Sequence, residues 1–170
     1  SSLSSQKNEE TIKSLSSEIT KLGGKPIKKT NDLKVTIKEL TKQLEEITVK
    51  SILSDKKKNI VKDQNIKKIN IRFQKVDDLP FKELRRLVDQ GKKDIKEGIV
   101  VIYAIKDDKI GLAVGVTDSL TKKYDAIKFV KSGSEILGGK GGGGRSDFAQ
   151  AGGAHSNKIE ESFEKIKSLI

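Results

Sequence analysis

Residues 98–116 read GIVVIYAIKDDKIGLAVGV. The first half, Ile99-Val100-Val101-Ile102-Tyr103-Ala104-Ile105, is a continuous apolar run, rich in β-branched residues and of strand length. Such a run is expected of a strand covered on both faces. Lys106-Asp107-Asp108-Lys109 interrupts it with turn residues. Ile110 to Val116 then returns as the hairpin partner, and Gly111 and Gly115 within it signal close backbone approach or bulges. A buried hairpin of this kind makes its surroundings a sheet with helices packed on it.

Before the hairpin, Ile69, Ile71 and Phe73 alternate with Asn70 and Arg72, the period of a strand. Asp77-Asp78-Leu79-Pro80 reads as a helix start, with Pro80 near the first helical position. Phe81, Leu84, Leu87 and Val88 give that helix its apolar stripe, and Gly91 and Gly98 bracket its end. After the hairpin, Asp118 or Ser119 can cap a helix faced by Leu120, Tyr124, Ile127 and Val130. It runs through Ile136 and Leu137 into a glycine-rich loop, 138–153. Ser156 can cap a last helix with Ile159, Phe163, Ile166 and Ile170 on one face. The fold class is therefore α+β, a compact mixed α/β sheet domain with packed helices over 66–170.

Residues 1–65 read as a helical, coiled-coil-like arm with helices near 9–22 and 32–62. Ile12, Leu15, Ile19 and Leu22 form the stripe of the first, and Gly23-Gly24-Lys25-Pro26 stops it. Asn31 or Asp32 can cap the second, where Leu33, Ile37, Leu40, Leu44 and Ile47 make a heptad seam. Glu46 and Lys50 stand four apart in the favourable order. Ser51, Ser54 and Lys56-Lys57-Lys58 dilute the pattern toward Val61. A seam about two heptads long is not stable alone in water. It is expected to pack on the first helix, a second copy of the chain or a neighbouring domain, or else to serve as a plain helical linker.

The 170 residues are 34% hydrophobic, 4% aromatic and 35% charged, thin for one core over the whole length and suited to an arm plus a compact part. The absence of Met points to a fragment of a longer protein. The absence of Cys excludes disulfides and thiolate zinc sites, and a single His leaves a metal site to carboxylates, of which no suitable cluster is visible. No apolar run approaches the roughly 20 residues of a membrane span, so a cytoplasmic protein is expected. A net charge of +11 favours an anionic partner such as nucleic acid. That charge is nearly all Lys and is shared by both parts of the chain, so it singles out neither; the arginines Arg72, Arg85, Arg86 and Arg145 stand out against it.

Eight of the 15 glycines lie in the loop Gly138-Gly139-Lys140-Gly141-Gly142-Gly143-Gly144-Arg145-Ser146-Asp147-Phe148-Ala149-Gln150-Ala151-Gly152-Gly153. Glycine leaves backbone N–H groups open to a ligand, and successive N–H groups can cup an anion. Lys140 and Arg145 add charge, and a guanidinium can hold two phosphate oxygens at once. Gln150 offers a donor and an acceptor for a sugar hydroxyl or base edge. The apolar residues after Asp147 argue against a free polyglycine linker, with Phe148 expected to anchor the loop to the core. Gly139 to Ser146 spells G-x-x-x-x-G-R-S, one residue from a P-loop. A P-loop follows a strand and opens a helix; this loop follows an amphipathic helix. Asp77-Asp78 and Asp107-Asp108 sit at turn positions, His155 at a helix start, and Asp147 beside Arg145 suits an ion pair or a loop-shaping hydrogen bond. No catalytic triad can be assembled.

The run Gly138 to Gly153 resembles the glycine motif near the C-terminus of bacterial alanyl-tRNA synthetases, GGKGGG(G)RPDxAQAGG. It matches at Gly138-Gly139-Lys140-Gly141-Gly142-Gly143, at Arg145, at Asp147 and from Ala149 to Gly153. Ser146 stands where Pro is usual, Phe148 where Met is common, and Gly144 is a length variant that shifts Arg145. The order of elements agrees as well, strongly from about Ile69 onward. The resemblance implies a helical arm and a globular domain of the DHH-associated type, without catalytic residues of its own. It implies binding of tRNA-Ala at the elbow and backbone, through Gly138, Gly139, Lys140, Gly141, Gly142, Gly143, Gly144, Arg145, Asp147, Gln150, Gly152 and Gly153. It further implies a bridge between aminoacylation and editing modules upstream in the same chain, and support for a homodimer through the arm seam. ATP, magnesium and an editing-site zinc are implied only for those upstream modules; no cofactor or metal is expected here. Two alternatives are an accessory domain that holds the substrate phosphate of a DHH phosphoesterase, and a part that is mainly a dimerisation arm.

Overall fold

The computed structural model describes residues 2–23 and 30–170. The chain divides into two compact units, Ser1–Val49 and Lys50–Ile170.

The first unit is helical. Helix α1 spans Ser2–Lys21, and Gly23 follows it with φ +83°. The rest of the expected stop, Gly24 to Pro26, lies outside the described residues. Helix α2 spans Thr30–Ser54 and carries the seam. Four seam residues stay exposed, Ile37 at 52%, Leu40 at 42%, Leu44 at 65% and Ile47 at 63%, while Leu33 is half-buried.

The expected second helix, 32–62, is too long. It stops at Ser54, and a helical arm to residue 65 gives way to a strand, β1 (Asn59–Ile66). The reason is local. The Asp55 carboxylate accepts from the Lys57 N–H at 2.8 Å, and the Asp55 carbonyl accepts from the Asn59 N–H at 2.8 Å. The Asn59 side chain donates to the Leu53 carbonyl at 2.9 Å, capping the helix end. β1 is a solvated edge strand with no apolar alternation, so it offered no period to read. Its partner is β2 (Ile69–Asp77), reached through Lys67 and Lys68, both at positive φ.

The second unit continues with helix α3 (Leu84–Ile95), preceded by a 3-10 turn at Phe81–Glu83. Strands β3 (Gly98–Lys106) and β4 (Lys109–Val116) form the predicted hairpin, with Asp107 and Asp108 at positive φ as its two-residue turn. Gly91 does not end α3 but lies inside it, where a Cβ would meet Val100 at 2.9 Å; its absence lets the helix approach the sheet. Helix α4 (Ala126–Ile136) starts later than expected, since Asp125, not Asp118 or Ser119, caps it by accepting from the Ile127 N–H at 2.9 Å. The glycine-rich stretch then supplies two more strands, β5 (Gly142–Gly144) and β6 (Phe148–Gly153), and α5 (Ile159–Lys167) closes the unit.

The sheet order is β1-β2-β3-β4-β6-β5, with β2 and β3 parallel and every other pair antiparallel. Side chains alternate between the faces of a strand. Ile99, Val101 and Tyr103 face a core shared with Phe129 and Val130 of α4 and Phe163 and Ile166 of α5. The opposite face of β3 and β4 meets α3, through Val100 against Gly91 and Val88 against Gly115. Within the core the Tyr103 hydroxyl lies 2.9 Å from Ser162 Oγ, which itself donates to the Gly133 carbonyl at 2.9 Å. The single Ser162 proton is thereby committed, so Tyr103 is the donor of that pair. Burial pushes the Tyr103 hydroxyl pKa up.

Candidate functional site

The loop 138–153 is in fact the outer hairpin of the sheet, and that changes what its glycines do. The Gly138 and Gly139 N–H groups donate to the Glu135 and Ser134 carbonyls at 3.2 and 2.8 Å, closing the end of α4. Gly152 and Gly153 pair with Gly111 and Ile110 of β4. The Gly138 and Gly139 N–H groups are thus occupied within the fold, and the Gly152 carbonyl accepts from the Ser134 hydroxyl at 3.0 Å. At Gly139 a Cβ would lie 1.9 Å from the Gly152 carbonyl oxygen, so glycine there is demanded by packing.

The Arg145 N–H donates to the Phe148 carbonyl at 2.6 Å across the hairpin turn. Bonded and non-bonded pairs alternate along an antiparallel ladder. Gly143–Gln150 is therefore the next bonded pair, and Gly142 and Gly144 turn their backbone groups to the open edge of β5.

On the α3 side of this hairpin lies a groove of about 550 Å³. Gly143, Gly144, Arg145, Asp147, Phe148 and Gln150 line it from the hairpin; Phe81, Lys82 and Arg85 line it from the start of α3. The Arg85 guanidinium stands 5.7 Å from the centre of the Phe148 ring, within cation–π range. Phe148 is thus half-exposed on the groove wall, and the residue that anchors the hairpin in the core is its neighbour Ala149, fully buried. Asp147 contributes to the scaffold through its carbonyl oxygen, which accepts from the Val116 N–H at 2.9 Å and the Lys92 ammonium at 2.7 Å. Lys82, Arg85 and Arg145 make the groove positive against one lining carboxylate, Asp147. A second cavity along α3 shares Lys82 and Arg85 and adds Arg86 and Lys93 beside one carboxylate, Asp89.

Of the residues the motif singled out, the structure therefore gathers Gly143, Gly144, Arg145, Asp147 and Gln150 into the groove. Gly138, Gly139, Lys140, Gly141, Gly142, Gly152 and Gly153 lie outside its lining. The motif missed Phe81, Lys82 and Arg85, which sit some 60 residues upstream in sequence. The one available signal was the rarity of arginine in a lysine-rich chain.

The profile of the DHHA1 domain matches residues 68–170. The chain belongs to the DHHA1 domain family. Over 90 residues it is 48% identical to an alanine–tRNA ligase of Parvibaculum lavamentivorans, a match that covers 52% of this chain and 10% of that protein. The C-Ala domain of Aquifex aeolicus alanyl-tRNA synthetase shares its fold at a TM-score of 0.60 and 30% identity, covering 64% of this chain and 96% of that domain. The DHH domain of a member of the S1P family of ribosomal proteins shares the fold at a TM-score of 0.50 and 22% identity, covering 78% of this chain and 31% of that one. The chain spans about a tenth of the length of the curated relatives it matches. Among the described residues of this DHHA1 protein, no His, Asp and Glu side chains gather as a metal-binding group, and no helix is long and apolar enough to cross a membrane.

Proposed function

We propose that this chain is a tRNA-binding C-terminal part of an alanine–tRNA ligase, and that the groove between α3 and the β5–β6 hairpin holds the tRNA backbone. The observation that carries the reading is a single groove lined by Lys82, Arg85, Arg145 and a half-exposed aromatic ring, Phe148, against which Arg85 stands, in a domain whose curated relatives are alanine–tRNA ligases. Guanidinium groups pair with phosphate in a fork. A half-exposed ring beside them offers a stacking surface for an unpaired base or a sugar face. Gln150 on the groove wall adds a donor and an acceptor. These residues bind and orient; none is assigned a chemical step.

In this reading the domain holds the elbow of tRNA-Ala in the cytoplasm and bridges aminoacylation and editing modules elsewhere in the ligase. The exposed seam of α2 is available to a second copy of the chain. ATP and magnesium serve the aminoacylation module. A His and Cys zinc site does not fit on this chain, which has one His and no Cys. The likeness to a DHH domain is one of fold alone, and a metal-dependent phosphatase assay on the parent protein tests that alternative.

The direct test is binding of the chain to tRNA-Ala across a salt series, beside Arg145→Ala, Arg85→Ala and Lys140→Ala. Removing one cation that neutralises a phosphate is expected to flatten the slope of log K against log salt by roughly 0.7–0.9. The groove predicts that effect for Arg145 and Arg85, and a smaller one for Lys140, which lies outside it. Wild-type binding that Arg145→Ala and Arg85→Ala both leave unchanged would sink the groove as the grip.

A further inference from the structure

A second positive surface lies on the opposite side of the sheet, where α4 and α5 pack. It is a cleft of about 830 Å³ around Tyr124, and Lys67, Lys122, Lys123, Lys128 and Lys131 line it. Among the described residues no Asp or Glu side chain forms an ion pair with any of these five lysines. Lys67 donates to the Ile170 carbonyl at 2.8 Å, and the Lys123 ammonium stands 5.4 Å from the centre of the Tyr124 ring. The one acidic side chain in the lining, Asp125, caps α4 by accepting from the Ile127 N–H. Lys128 and Lys131 stand three apart on α4, and Lys122 and Lys123 are adjacent. Like charges three apart on a helix repel each other mildly, so an anionic partner relieves the Lys128–Lys131 pair.

We propose that this lysine cleft is a second docking surface for the phosphodiester backbone of RNA, separate from the groove and on the other face of the domain. The choice of RNA rests on the function proposed above; the charge and the position of the cleft do not. A phosphodiester chain presents closely spaced charges, so it engages several lysines at once, whereas one isolated phosphate satisfies one or two. Lysine is a flexible point charge with no fixed fork, so the cleft supplies affinity without a demand on geometry. The arginines of the groove supply orientation. A folded RNA held in this way is touched on both faces of the sheet domain.

The test uses the full 170-residue chain and a tRNA-Ala transcript across a salt series. Lys128→Gln with Lys131→Gln is compared with Lys56→Gln with Lys57→Gln, an equal loss of charge at an exposed turn away from the cleft. The cleft pair is expected to weaken binding several-fold and to flatten the salt slope by roughly 0.7–0.9 for each phosphate no longer neutralised. Lys128→Arg with Lys131→Arg is expected to restore both, and the turn pair to stay near wild type. Thermal melts confirm that all variants fold. A cleft pair that binds like wild type, or a turn pair that loses as much, overturns the proposal. So does a cleft pair that loses binding only to phosphatidylserine vesicles. If Arg145→Ala and Arg85→Ala lose binding and the cleft pair does not, the groove stands and the cleft falls. If the cleft pair alone loses binding, the cleft stands and the groove falls. If wild type binds no tRNA, both fall.

Discussion

Arg145 and the glycines around it illustrate how one residue type serves two ends in a single stretch. Gly139 is glycine because two backbones and the Ser134 hydroxyl meet there, with a Cβ 1.9 Å from one carbonyl oxygen and 2.2 Å from Ser134 Oγ. Gly143, on the groove wall, has nothing within 4 Å of a Cβ. Gly139→Ala is therefore expected to cost about 1–3 kcal/mol through overpacking. Gly143→Ala is expected to stay within about 0.5 kcal/mol. Urea midpoints of the two variants measure the difference, and equal midpoints would mean that packing treats the two glycines alike. The same local geometry corrects Phe148, which the sequence suggested as a core anchor. Alternation along β6 sends Ala149 to the core and Phe148 to the groove, where Arg85 meets it.

At the scale of elements, Arg72 ties β1 and α3 to β2. Its guanidinium donates to both Asp63 carboxylate oxygens, at 2.8 and 3.0 Å, and to Asp94 at 2.8 Å. The hydrogen bonds from Arg72 hold the Asp63 and Asp94 carboxyls below their ordinary value of 3.8. Folding thus favours their ionised forms, so their contribution is complete above that ordinary value and is lost as the pH falls through the lowered ones. Both carboxylates are about half exposed, which limits each pair to about 0.5–1 kcal/mol. Arg72→Gln is expected to destabilise the protein by about 1 kcal/mol at neutral pH, with the gap to wild type closing in acid as the pH falls through the lowered values of the two carboxyls. Denaturant midpoints at neutral and acid pH check this. A gap that persists in acid would assign the role of Arg72 to packing.

At the scale of the molecule, the compact units divide after Val49, not after residue 65. A cut at 65/66 removes β1 and strips β2 of eight paired residues on one side. The exposed edge then offers unpaired N–H and C=O groups to any neighbour. Residues 50–170 are expected to unfold in one cooperative transition near that of the sheet in the whole chain. Residues 66–170 are expected to melt at least several degrees lower or to aggregate. Calorimetry and sedimentation of the two fragments decide this, and equal melting would mean that β1 contributes nothing to the unit.

The sequence by itself determined the strands and helices whose burial leaves a period: β2, the β3–β4 hairpin and the stripes of α3 and α5. Those signals are local, because each residue of a repeat reports the same buried face. The glycine motif was equally legible as a string, and its likeness to alanyl-tRNA synthetases agrees with the family. Only the tertiary structure decided that β1 is a strand, since an edge strand open to water needs no apolar alternation and is defined by its partner. It alone turned the glycine loop into a hairpin, because the ladder from Gly111 to Gly152 joins residues 41 apart. It alone brought Arg85 to Phe148 and Arg145, because a groove between two elements is a property of their packing and leaves no trace in the spacing of either.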